Sequence, residues 1–208
     1  MFWVYDNLLR DSVAEDVHDR IKRIPLSYDY RSSSVKEPKV LPMPLENEIT
    51  YGKGTTPSKR AIQPHWHTEC GHTEDVILQN NFEYLLPIYE EAKIKFKTPL
   101  KLHRSYINAH TYGVEPYTHT DTNDFTFIYY PRLDWEPEWL GGTALWDKEK
   151  INIIKYCNYV GNRLFIFHGH TNHQAMPIAR CCVELRPVIV FKTMRDEELL
   201  LQRLKDSL

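Results

Sequence analysis

From Leu100 to Lys192 the sequence breaks into short apolar stretches at near-regular spacing, each closed by a turn signal, and no other feature narrows the fold as much. Lys101 to Tyr112 alternates and ends at Gly113. Thr118 to Asp121 follows Pro116, Phe125-Thr126-Phe127-Ile128-Tyr129-Tyr130 stops at Pro131, and Thr143 to Trp146 follows Gly141-Gly142. Ile151 to Tyr156, Arg163 to His168, His173 to Ile178 and Val183 to Lys192 complete the series. Many short strands with frequent turns predict an antiparallel sandwich or jelly roll.

The flanks read differently. Ser12 and Glu15 have the spacing of a capping box, and Val13, Val17 and Ile21 follow at helical intervals, so a helix is predicted over residues 12–24, stopped by Pro25. A second helix is predicted over 73–96, where Leu85, Ile88, Tyr89, Ala92 and Phe96 recur three and four apart and Pro87 sits in a first turn or makes a kink. A short charged helix is expected over Asp196 to Leu208. Between the first two, residues 25–64 carry five prolines after Pro25, a Ser32-Ser33-Ser34 run, Gly52 and Gly54, which describes a long irregular excursion of the kind that serves as a lid or a substrate-binding arm. The fold class is therefore mainly β with flanking helices. A chain of 208 residues suits one domain: helical support and lid to residue 100, a β core over 101–193, and a terminal helix over 194–208.

Composition removes some function classes. Lys and Arg number 26 against 28 Asp and Glu, which leaves no bulk basic field for nucleic acid. No stretch reaches the roughly 18 apolar residues of a membrane span, and Met1 to Asp6 lacks a basic leader. Cys70, Cys157, Cys181 and Cys182 show no disulfide-scaffold spacing. A soluble cytoplasmic protein with reduced thiols is the expectation.

Chemistry concentrates in Tyr117-Thr118-His119-Thr120-Asp121. On an extended strand residues two apart project to one side, so His119 and Asp121 converge. A second imidazole from a later strand, at His168, His170 or His173, would complete two histidines and one carboxylate, the set that holds non-haem Fe(II) and leaves coordination positions open. The other dense cluster, His65-Trp66-His67-Thr68-Glu69-Cys70-Gly71-His72, allows a zinc site in principle, though its spacing fits no standard finger, or else lines the mouth of a pocket.

Taken in order, Tyr112-Gly113, His119-Thr120-Asp121, Thr126 to Tyr130, Trp135, Gly141-Gly142, Gly161-Asn162-Arg163 with the apolar strand after it, His173 and a late arginine in an apolar strand resemble the prolyl 4-hydroxylase-like branch of the Fe(II)- and 2-oxoglutarate-dependent dioxygenases. The likeness covers residues 104–193. It implies a double-stranded β-helix with His119, Asp121 and His173 as iron ligands and His168 and His170 as turn residues. It also implies that a buried arginine grips the far carboxylate of 2-oxoglutarate. Arg186 fits that role, with Arg180 and Lys192 as rivals, and Tyr129 would donate its hydroxyl beside it while Tyr130 faces away. Asn108, His110 and Asn172 are candidates to orient the ligand imidazoles.

The implied function is hydroxylation of an unactivated C–H bond with Fe(II), 2-oxoglutarate and O2, releasing succinate and CO2, with ascorbate as reductant. A small molecule, an amino acid or natural-product intermediate, is the expected substrate. A peptidyl or prolyl hydroxylase and an inactive binding module of the same fold are the alternatives. Trp135, Trp139, His65, His67 and Arg104 are expected near the mouth, and Arg104, Arg132 and Arg163 are available for an anionic substrate.

Overall fold

The computed structural model describes residues 1–30, 65–114, 116–199 and 201. The chain enters as strand β1, Phe2–Tyr5, and helix α1, Asp11–Ile21, then strands β2, Ser27–Tyr30, and β3, His65–Gly71. Helices α2, Glu74–Gln79, and α3, Leu86–Phe96, lead into strand β4, Leu100–His110. The remaining strands are β5, Phe125–Tyr130; β6, Thr143–Trp146; β7, Ile153–Cys157; β8, Arg163–His168; β9, His173–Ala175; and β10, Arg186–Arg195.

Two sheets result. The larger has the order β1-β8-β5-β10-β4-β3-β2 and the smaller β7-β6-β9. An antiparallel bridge between His119 and His173 adds the 119 segment to the smaller sheet beside β9. From β4 onward the chain passes back and forth between the two sheets, with β6 and β7 paired within the smaller one, which is the double-stranded β-helix expected.

Alternation along each strand decides what goes where. Phe125, Phe127 and Tyr129 of β5, Leu164 and Ile166 of β8, and Ile189 and Phe191 of β10 pack on Val17, Ile21, Ile77, Leu85, Ile88 and Tyr89 from the helical layer. Their neighbours Ile128, Tyr130, Phe165, Phe167, Val188 and Val190 turn inward, against Leu145, Cys157 and Ile178. Both faces of the large sheet are covered, and each large apolar side chain so buried contributes about 1.5–3 kcal/mol.

Three local expectations change. Arg10 occupies the N-cap of α1 with no side-chain cap, so Ser12 lies inside the helix and the capping box does not form. The predicted 73–96 helix is divided: Thr73 caps α2, Asn81 adopts φ 61°, a 3-10 turn spans Glu83–Leu85, and α3 then starts with Pro87 in its first turn. Asparagine tolerates the left-handed region that a helix interior forbids. The segment 118–121 forms one bridge at His119 rather than a strand. Most of the predicted lid, 31–64, and most of the terminal helix lie outside the described residues. No helix among the described residues is long and apolar enough to cross a membrane.

Candidate metal centre

His119 and His173 are bridge partners whose backbones exchange both hydrogen bonds, N to O at 3.0 and 2.8 Å. Asp121 is set beside them by its own N–H, which donates to the Gly169 carbonyl at 2.7 Å. The result is that one ligand atom from each of His119, Asp121 and His173 lies within 4.8 Å of the others, the one such cluster among the described residues.

Each imidazole is oriented by its own chain. His119 Nδ1 lies 3.1 Å from the Tyr117 carbonyl and His173 Nδ1 lies 2.9 Å from that of Thr171. A carbonyl can only accept, so both Nδ1 atoms carry the proton and both Nε2 lone pairs are directed at the carboxylate, 4.0 and 3.5 Å away. Burial holds the His119 imidazole below its usual range, and burial together with the His119 charge brings His173 down to about 4. Both are neutral at pH 7, as ligands must be. Burial pushes Asp121 up, but His173, Lys192 and two hydrogen bonds outweigh it and keep the carboxyl below its normal range.

Those two hydrogen bonds come from a cross-strand pair. Thr126 and Lys192 are direct register partners on β5 and β10. Thr126 Oγ1 donates to Asp121 Oδ2 at 2.7 Å and Lys192 Nζ to Oδ1 at 2.5 Å. The carboxylate side chain is 4% exposed and is fixed from both sides.

At the other end of β10, Arg186 points to the same inner face and is 1% exposed. Its Nε and Nη2 donate to the carbonyls of Gly141 and Gly142, the second at 3.2 Å, while Nη1 has no partner. A side chain at 141 would meet Arg186 Cδ at 2.9 Å, and φ there is +74°, so glycine is what lets the guanidinium lie flat on this turn. Burial lowers the Arg186 pKa, and the groups that oppose it are Tyr130, Tyr159 and Tyr156 rather than any carboxylate. A buried cation with an unused donor calls for an anion from outside.

Several predicted residues stand elsewhere. Tyr129 packs under the helices and its hydroxyl donates to Asn162, so it does not reach Arg186; Tyr130 is the tyrosine that faces the barrel, donating to Thr143 Oγ1 at 2.8 Å. The adjacent positions are reversed because β5 is buried on both faces and its hydrophobicity carries no phase. Of the rival histidines, His168 packs on Trp3 and Phe125 on the helical side, and His170 is exposed. Arg180 is exposed, over the Tyr112 ring. Trp135 is closed in by Tyr159 and Trp139, with its N–H donated to Leu140, and stands in the core rather than at the mouth.

The zinc reading of 65–72 fails on direction. His65 and His67 face one side of β3 while Cys70 packs in the helical core, and His72 sits by the His103 carbonyl. His65 meets the His110 ring, and His67 binds Asn108 and Glu69. Asn108 and His110 are thus engaged away from the ligand imidazoles, and Asn172 donates to Asp147 and Lys148. A surface cleft of about 610 Å³ lies by α1 and Phe82, away from these residues and lined by surface charges.

No protein-family model matches the sequence, and no curated protein matches it. Solved structures do. A Pseudomonas putida prolyl-4-hydroxylase aligns at TM-score 0.57 and 11% identity over 93% of this chain and 92% of its own. The non-heme alpha ketoglutarate dependent epimerase SnoN from nogalamycin biosynthesis aligns at 0.56 and 13% over 93% and 77%. The fold is that of the Fe(II)- and 2-oxoglutarate-dependent oxygenases. A Trichoplax adhaerens prolyl hydroxylase in complex with a hypoxia inducible factor peptide fragment shares it too, at TM-score 0.54 and 13% identity over 96% of this chain and 86% of its own. On this oxygenase fold the chain carries a His-Asp-His set whose ligand atoms are close enough together to hold a metal ion.

Proposed function

We propose that the protein is an Fe(II)- and 2-oxoglutarate-dependent oxygenase that hydroxylates a C–H bond of a small molecule. The observation that carries the reading is the pairing, inside the barrel, of two neutral imidazoles and the Asp121 carboxylate with a buried guanidinium that has no carboxylate partner among the described residues. His119 and His173 would hold the ion through Nε2 and Asp121 through a carboxylate oxygen, and Arg186 would take the far carboxylate of 2-oxoglutarate. The donor set fits a divalent ion that keeps open positions. When bound, the iron supplies the chemistry of O2 and the keto acid, with succinate and CO2 as products and ascorbate as reductant.

The chain's own residues set the conditions. Asp121 is held in position by Thr126 and Lys192, and an ion that binds it would compete with the Lys192 ammonium for Oδ1. Phe167, with its ring 4.7 Å from that of His173, and Tyr130 make an apolar wall that keeps water from the inner side. His65 and His67 are each 7% exposed and pack against His110 and Tyr106 of β4, and buried polar side chains of this kind favour a small molecule over an extended chain. A peptide substrate is the second reading, favoured by the fold shared with a peptide-bound prolyl hydroxylase.

With Fe(II), ascorbate and 2-oxoglutarate in air, the wild type is expected to form succinate and His119→Ala to form none. Equal succinate from both would remove the ligand assignment. Small acids, amino acids and proline-containing peptides, scored by stimulated CO2 release, would then separate the two substrate classes.

A further inference from the structure

Charge on the barrel wall is not balanced. The three arginines that the sequence offers to an anionic substrate are all engaged: Arg132 with Asp134 and Glu184 at 2.6 and 3.2 Å, Arg163 with Asp6 at 2.5 Å, and Arg104 with Glu69 at 2.6 Å. Two cations remain on the inner face of β10, Arg186 and Lys192, and between them they meet a single carboxylate, Asp121, among the described residues. Loading the site with a divalent ion and a dianionic keto acid adds two charges of each sign and leaves the wall's surplus positive charge in place. A net charge in a site partly closed to water is costly until a counter-ion arrives.

Lys192 stands where that counter-ion would be met. Its side chain is 17% exposed and its ammonium lies 5.6 Å from the Tyr106 ring, beside the metal-binding carboxylate. Of its three N–H donors, one goes to Asp121 Oδ1. An ion that takes over Asp121 would weaken that pair and turn the ammonium toward the cavity.

We propose that Lys192 is a specificity-determining residue, and that the substrate carries an anionic group, of carboxylate type, which Lys192 binds beside the metal. The inference rests on the oxygenase reading and names its substrate class. The arginines are already neutralised and supply no alternative anchor.

The test uses Co(II)-loaded protein without O2, titrated first with 2-oxoglutarate and then with acetate or its neutral analogue acetamide, followed by calorimetry and by the visible Co(II) spectrum. Acetate is expected to bind at least tenfold more tightly than acetamide. Lys192→Met should abolish that preference, and Lys192→Arg, which keeps the charge, should restore most of it. Equal binding of the two probes to wild type overturns the proposal without any variant, and an acetate preference that survives in Lys192→Met overturns it also. A Co(II) protein that fails at the first titration, taking no 2-oxoglutarate, overturns the oxygenase reading instead, so the two failures occur at different steps.

Discussion

The two ends of β10 carry the same kind of charge and treat it differently. Lys192, at one end of the inner face, has its anion built in, because Asp121 comes to 2.5 Å from a segment 71 residues away. Arg186, at the other end, is more deeply buried yet meets only backbone carbonyls and the Tyr159 ring and keeps one unused nitrogen. Folding alone satisfies the first cation. The second has no carboxylate among the described residues, and on the proposed function a ligand's carboxylate would recover the energy given up in burying it.

Replacing each cation by methionine should separate the two ends. Arg186→Met is expected to weaken 2-oxoglutarate binding at least about 100-fold, the loss of a buried charge-assisted pair being worth about 2–3 kcal/mol. The ligand-free variant should melt no lower than wild type, because an uncompensated buried charge has gone. Thermal melts with and without 2-oxoglutarate read both effects, and a variant that melts lower without ligand would show that Arg186 is already satisfied. Lys192→Met should behave in the opposite way, losing about 1–3 kcal/mol in the ligand-free protein because Asp121 is left buried without its cation. Divalent ion should restore most of that loss, and urea midpoints with and without Co(II) would measure it.

The smallest effect is one of pH. The unfolded histidine takes a proton near 6.5 and folded His173 only at about 4, so stability is fully present above about 6.5 and is lost as pH falls toward 4. Between pH 7.5 and 6 the loss should be below about 1 kcal/mol per depressed imidazole. Urea midpoints of the metal-free protein should therefore fall with pH, less steeply in His173→Gln; a flat profile in wild type would mean that the imidazole is solvated.

How far these ends were legible follows from distance and periodicity. His119 and Asp121 converge because strand geometry forces positions two apart to one side, and that is visible in three letters. The strands of the β core were legible because their turns fall at Gly and Pro. Tyr129 and Tyr130 were not distinguishable by hydrophobicity, since Phe125 to Tyr130 is buried throughout. Thr126, polar and in phase with Tyr130, was the signal that marked the inner face. Lys192 lies in phase with Arg186, but its bond to Asp121 joins segments that only the folded sheet brings together. The break at Asn80-Asn81 was hidden by helix periodicity that continues on both sides of it.

Equilibrium dialysis against Co(II), followed by metal analysis of the wild type and of Asp121→Ala, tests the centre itself most directly. The expectation is that wild type retains a single ion per chain and that Asp121→Ala retains none. Equal retention by the two proteins would contradict it.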